Sequence, residues 1–297
     1  MDALSNKEQR ASKTAIMAAV HRYLSLFEPN PDFRNQDTLA KLFIPRLWKF
    51  LISFAWFRRF LLKKLNREVP GTYPYVIARA KYFDEQFILA LNERVPQIVL
   101  LGSGYDSRAI RYQTQNQGST VFELDTPALL KNKQAIFKQN GIDIPDRLKL
   151  CPIIFGKGDL ATVLQQAGFN PALKTLFMWE GVSYYLTEPA VLETLSFIKD
   201  NAPVSSVLVF DYFYQSFIDG NHDYYGAREI ATAVQEAGEP FQFGIEPENL
   251  APFLADFGFE LLSRYNSGDL EQAYLSRHGE QLGKVYGFAE CVTAIRI

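Results

Sequence analysis

Cysteine, histidine and any surplus of charge are what this sequence is short of. Two cysteines, Cys151 and Cys291, in 297 residues build neither a disulfide framework nor a cysteine zinc site. Each lies in an apolar run that reads as a strand, so both are expected to be buried, reduced thiols. His21, His222 and His278 are too far apart for metal-ligand spacing, and no metal is expected. The 31 basic and 33 acidic residues leave a formal net charge of −2, which gives nucleic acid no electrostatic footprint. Met1–Arg10 is polar and no secretory signal follows it. No uncharged stretch approaches the roughly 20 residues of a transmembrane helix. A cytoplasmic protein without stable membrane insertion is the expectation. Neither a serine nucleophile elbow nor a P-loop is present, since Gly102–Arg108 lacks the Lys-Ser/Thr ending.

What is present centres on Ile98-Val99-Leu100-Leu101-Gly102-Ser103-Gly104-Tyr105-Asp106-Ser107-Arg108. An apolar β-branched run ends in a two-glycine turn, and Ser107 is placed to cap a following helix. Glycines here remove Cβ atoms that would collide with a bound cofactor. About twenty residues on, Val121–Asp125 reads as a second short strand ending in acids, at the spacing that suits a ribose-binding carboxylate. The pair reads as a nucleoside-cofactor site. A nicotinamide fingerprint would carry a third glycine where Ser107 stands.

The rest of the chain divides at about residue 95. Residues 7–27 have apolar groups at helical spacing, and a long helix is predicted over 73–93. The stretch 42–65 is rich in aromatics but interrupted by Arg46, Lys49, Arg58 and Arg59. It fits a helix packed into the protein, a lid over an apolar substrate, or a basic-aromatic helix at a membrane surface. From Gln97 strands and helices alternate: strands at 97–102, 119–125, 148–155, 174–179 and 205–210, with helices at 107–116, 127–140, 160–167 and 187–200. The pattern predicts a parallel sheet with helices on both faces. Beyond it come an aromatic, glycine-rich section at 212–245, a helix at 247–257, and strands at 259–264 and 285–297. The simplest division is an N-terminal helical cover over 1–95 and a core over 96–297 with a lid insertion near 212–245.

Several carboxylates fall where ligands bind in such folds. Asp125 can hold ribose hydroxyls, or help begin the helix at Thr126-Pro127. Asp159 can receive an adenine amino group or cap the helix starting at Leu160. Glu180 follows Leu176–Trp179, at the crevice end of a strand, and can pair with a cationic amino group. His222, Asp211 and Tyr185 are the candidates for a general base.

Taken together, Leu101–Arg108, Phe122–Pro127 and Glu180-Gly181-Val182-Ser183-Tyr184-Tyr185-Leu186 resemble the leucine carboxyl methyltransferase family. Ala78–Asp84 resembles that family's arginine motif, and Ser12–Ala15 its N-terminal lysine segment. The resemblance implies a Rossmann-like class I methyltransferase, α/β, with a seven-stranded sheet whose last strand is antiparallel. It implies S-adenosyl-L-methionine as cofactor. Arg79 and Lys13 would neutralise the cofactor carboxylate. Gly102, Ser103, Gly104 and Asp106 would form the turn against it, and Asp125 would hold the ribose with Glu123 beside it. Asp159 and Leu160 would border the adenine, and Glu180 would take the amino group. In that topology Cys151 and Cys291 lie too far apart to bond. The stretch 42–71 resembles bacterial members acting on small molecules, so the acceptor is expected to be a small, partly apolar natural product methylated on oxygen. The alternatives are a protein C-terminal leucine carboxylate, a nicotinamide-dependent oxidoreductase, and a non-catalytic binding protein.

Overall fold

The computed structural model describes residues 2–238 and 240–297, with side chains from Lys13 onward. Four helices come first: α1 (Asp2–Ser25), α2 (Arg46–Ser53), α3 (Ala55–Glu68) and α4 (Thr72–Asn92). Then β1 (Gln97–Leu101), α5 (Arg108–Arg111), β2 (Thr120–Asp125), α6 (Pro127–Gln139), β3 (Leu148–Pro152), α7 (Leu160–Gln166), β4 (Thr175–Trp179), α8 (Glu188–Asn201) and β5 (Val207–Phe213) alternate. The remainder comprises α9 (Gln215–Ile218), α10 (Ala227–Ala237), α11 (Leu250–Asp256), β6 (Phe259–Tyr265), α12 (Ser267–Leu270), a hairpin of β7 (Ser276–Arg277) and β8 (Glu280–Gln281), and β9 (Ala289–Arg296).

Seven strands form one sheet in the order β3-β2-β1-β4-β5-β9-β6. The first five run parallel, and β9 is antiparallel to both neighbours. This is the expected α/β architecture with its antiparallel last strand. β1 and β4 are buried along their whole length because helices cover both faces of the sheet. Their side chains alternate between two cores. Ile98, Leu100, Leu176 and Met178 pack with α1, α4 and α6, and Val99, Leu101, Phe177 and Trp179 pack with α7, α8 and α11. Cys151 and Cys291 are free and buried, on β3 and β9. Four strands separate them, about 24 Å at the usual strand spacing.

Three local expectations change. The helix predicted over 107–116 is only Arg108–Arg111, and the Ser107 side chain does not cap it. Its hydroxyl donates instead to Asp37 at 2.6 Å, and Asp106 Oδ1 accepts from the Arg108 backbone N–H at 2.6 Å. The fifth strand runs on past residue 210 to Phe213, taking Asp211 into the sheet opposite Cys291. The last strand begins at Ala289 rather than 285; the Val285 N–H donates to the Glu271 carboxylate at 2.7 Å instead of joining the sheet. The stretch 42–65 forms two helices broken at Phe54, whose backbone is extended. Ile52, Leu61 and Leu65 are buried in the core, while their neighbours on the other face are exposed. Among the described residues no helix is long and apolar enough to cross a membrane.

His21 of α1 is buried with both ring nitrogens unpartnered. Burial, reinforced by the Arg22 and Arg79 guanidiniums, pushes its imidazole down to about 4. The folded chain therefore holds His21 neutral while an unfolded chain protonates it below its usual value. Its contribution is present above pH 6.5 and is lost as pH falls towards 4. The shift corresponds to a contribution on the order of 3 kcal/mol. His21→Phe should flatten the fall in denaturation midpoint between these pH values, measured by urea titration at a series of pH values.

Candidate active site

The sheet order makes β1 and β4 neighbours while the chain leaves them towards opposite edges, which opens a crevice beyond their C-terminal ends. Gly102–Asp106 follows β1 there, and Glu180-Gly181 follows β4. The glycine turn is tied to β2. The Ser103 N–H donates to the Leu124 carbonyl at 2.9 Å, and the Gly104 N–H to Asp125 Oδ2 at 2.7 Å. Asp125 Oδ1 accepts from the Thr126 N–H at 2.6 Å. Burial raises the Asp125 carboxyl, and these backbone donors oppose the rise.

Gly102 and Gly104 have φ of +71° and +51°, which a side chain rarely adopts. At Gly102 a Cβ would also lie 2.5 Å from Val182 Cγ2. The expected reason for this glycine was clearance for a ligand; the structure shows that clearance for Val182 already requires it. At Gly104 the nearest atom to a Cβ would be that of Ala15, at 3.6 Å, so α1 passes against the turn. This brings the Lys13 segment to the site, with Lys13 itself exposed. The Ser103 hydroxyl is buried without a hydrogen-bond partner.

A continuous chain of buried ion pairs underlies the turn. Arg22 binds Asp37 at 2.8 Å, and Arg111 approaches Asp37 at 3.7 Å and Asp84 at 2.9 Å. Arg108 binds Asp84 at 2.6 Å, Asp106 at 2.5 Å and Glu180 at 2.8 Å. Arg79 binds Glu180 at 3.2 Å and Asp211 at 3.0 Å, and donates to the Tyr184 hydroxyl at 3.0 Å. The arginines hold the Asp84 and Asp106 carboxyls below their ordinary range against the opposing effect of burial. Four guanidiniums face five carboxylates, which leaves one negative charge in excess. Glu180, at 17% side-chain exposure, is the most accessible of the five.

The predicted site residues thus separate into groups. Gly102, Ser103, Gly104, Asp106, Asp125, Arg79 and Glu180 come together at the crevice. Glu123 does not open onto it: it is buried and bound by the equally buried Lys133 at 2.5 Å. Burial pushes the Glu123 carboxyl up to about 7, with Lys133 opposing. Asp159 is exposed and caps α7, accepting from the Ala161 N–H at 3.0 Å and from the Thr162 hydroxyl, while Leu160 is buried in the second core. Asp211 is fully buried and already takes three donors, Tyr75 at 2.7 Å, Arg79 at 3.0 Å and the Gly181 N–H at 2.6 Å. It orients Arg79 and is not presented to an acceptor. His222 lies beside Phe217 with ring centroids 6.4 Å apart, and among the described residues it joins no ion pair of the cluster. Tyr185 packs on Tyr184 and Phe241, at 4.9 and 5.3 Å between ring centroids. Sequence reasoning missed Arg108, Arg111, Asp84 and Asp37 as site-forming groups. Two arginines three apart, directly after the glycine turn, were the available signal for the first pair.

The model of the leucine carboxyl methyltransferase family matches residues 15–199, more than half of the chain, including Arg79, the glycine turn, Asp125 and Glu180. The chain belongs to the leucine carboxyl methyltransferase family. A Bacillus subtilis relative described as a "Putative S-adenosyl-L-methionine-dependent methyltransferase" is 26% identical over 290 residues, covering 93% of this chain and 95% of the relative. A Mycobacterium tuberculosis relative of the same description is 37% identical over 195 residues, 64% of this chain and 60% of that one. Among solved structures, a DUF574 family protein from Streptomyces avermitilis superposes with a TM-score of 0.60 at 11% identity, covering 81% of this chain and 90% of that one. A methyltransferase-titled structure from Thermobifida fusca reaches 0.57 at 16% identity, covering 82% and 89%. Both share the fold. The family's chemistry is methyl transfer and the cofactor is S-adenosyl-L-methionine. The residues fit that group: an orphan hydroxyl at Ser103, a positive-φ glycine turn, and a buried cluster one carboxylate in excess beside it.

Gly102→Ala should lower stability by about 2–4 kcal/mol, combining left-handed backbone cost with the clash at Val182. A thermal melt would show it, and adding Val182→Ala to that variant should recover part of the loss.

Proposed function

We propose that this chain is an O-methyltransferase acting on a carboxylate of a small, partly apolar molecule. The observation that carries the reading is the single unmatched negative charge of the buried cluster, at the mouth of which Glu180 stands. S-Adenosyl-L-methionine would supply an electrophilic methyl on a sulfonium, to which an acceptor oxygen bonds in line as the C–S bond breaks and the sulfur leaves as a thioether. The residues here bind and orient. Arg79 makes its bonds through Nε and Nη1, leaving Nη2 for the cofactor's carboxylate, with Lys13 on the passing helix as a second cation. Glu180 takes the amino group, Asp125 the ribose hydroxyls, and Ser103 offers its unpartnered hydroxyl. The adenine edge falls to the exposed start of α7 at Asp159, with Leu160 packed beneath it in the core. Holding two reactants aligned can contribute about 7–11 kcal/mol to such a displacement.

A carboxylate acceptor is already an anion and needs no base. That agrees with Asp211 being buried and engaged by three donors and with His222 joining no described ion pair of the cluster. A hydroxyl acceptor would call on Tyr185 or His222. The aromatic wall beside Arg79 supports an acceptor with apolar bulk. Tyr184 stacks on Phe213 at 3.8 Å, Phe241 meets Phe213 at 4.8 Å, and Tyr185 and Phe241 are partly exposed at its edge.

In calorimetric titration, Asp125→Asn and Glu180→Gln should each weaken S-adenosyl-L-methionine binding about 10–100-fold, the cost of one charge-assisted hydrogen bond. Unchanged affinity in both variants would remove these roles. Incubation of the enzyme with labelled cofactor and a cell extract should give a base-labile product, a methyl ester. A base-stable ether would reassign the acceptor to a hydroxyl.

A further inference from the structure

We infer that the α2–α3 hairpin is a docking surface for an anionic lipid bilayer. Leu47, Phe50, Phe54, Trp56 and Phe60 are between 40% and 66% exposed. They are not scattered. Phe50 meets Phe54 at 5.1 Å between ring centroids, Phe54 meets Trp56 at 6.5 Å, and Phe57 links Trp56 to Phe60 at 5.7 and 6.2 Å. One continuous aromatic strip therefore faces outward. The hairpin is firmly seated beneath it. Ile52, Leu61 and Leu65 are buried, and Arg58 ties the two helices by donating to the Ile52 and Ser53 carbonyls at 2.9 and 2.8 Å while stacking over Phe27. Contiguous exposed apolar surface on a well-packed element marks an interaction site.

Charge selects the occupant. Between residues 41 and 68 eight residues are basic and one, Glu68, is acidic, in a chain whose totals are 31 and 33. Arg46, Arg59, Lys63 and Lys64 are exposed around the aromatic strip. A helix with aromatics on one side and Lys/Arg beside them lies in the plane of a lipid interface, its rings among the acyl chains and its cations at the headgroups. At 8 and 14 residues, α2 and α3 are too short to cross the bilayer and long enough to lie on it. A second copy of the chain is disfavoured, because a two-fold contact would set the same cationic patch against itself. α3 packs against α4, the helix that carries Arg79, and against α10, so docking would hold the crevice close to the surface. The inference stands apart from the choice of acceptor and from methyl transfer itself.

The test is co-sedimentation of the full chain with vesicles of phosphatidylcholine alone, or of phosphatidylcholine and phosphatidylglycerol in equal parts. Binding to the mixed vesicles at low salt, with a blue shift of tryptophan emission, is the expected result. Each basic residue near an anionic surface adds about fivefold, so Arg59→Gln with Lys63→Gln and Lys64→Gln should weaken binding about a hundredfold. Phe50→Ser with Trp56→Ser and Phe60→Ser should abolish sedimentation while leaving calorimetric affinity for S-adenosyl-L-methionine unchanged. A parent protein that stays in the supernatant with mixed vesicles would overturn the inference. So would an aromatic variant that sediments like the parent, or a parent dimer that the aromatic variant converts to monomer.

Discussion

The ion-pair chain from Arg22 to Asp211 is the constraint on which the rest of the molecule depends. Its members come from α1, the loop after it, α4, the turn after β1, α5, the tip of β4 and the interior of β5. Taking that many charges out of water costs several kcal/mol per ion unless each finds close partners. Every member therefore fixes its neighbours: Arg79 without Asp211, or Arg108 without Asp84, would leave an uncompensated charge in the interior. The helical cover and the sheet are joined through electrostatics as well as through apolar packing. Removing one partner should disturb the others more than any isolated surface pair would.

This network also separates what the primary structure discloses from what it hides. The glycine turn, the acid at 125 and Glu180 after β4 are legible because local rules place them: β-branched runs, left-handed turns and strand ends leave direct traces. The parallel sheet follows from alternation, and its seven strands with an antiparallel last one from resemblance. The charged groups Asp37, Asp84 and Lys133 leave no such trace, and Arg108 and Arg111 leave only their spacing after the glycine turn. A charged side chain reads as solvated unless its partner is known, and these partners lie far along the chain or on another element. The misplaced end of β5 has the same origin. Asp211 looks like a strand terminus, yet Tyr75, Arg79 and the Gly181 N–H supply what water would have supplied, so the strand runs on.

The stretch 42–65 resisted reading for a different reason. Its composition is compatible with core, lid and interface, and periodicity cannot separate them when both faces are apolar. Only the tertiary arrangement divides the residues, with Ile52, Leu61 and Leu65 inward and the aromatic strip outward. Two surfaces of opposite polarity result: a crevice with an acidic surplus and a hairpin with a basic one. A near-neutral chain thus carries strong local fields of both signs.

The unmatched carboxylate gives the proposed catalytic cycle a direction. The donor enters with a sulfonium charge, and the spent cofactor leaves as a neutral thioether. In the proposed roles Glu180 holds the amino group, which both forms keep, so the two differ in the net charge they bring to the field of the surplus carboxylate. That field would favour the charged donor over the spent cofactor, and exchange of one for the other would need no change in the shape of the protein.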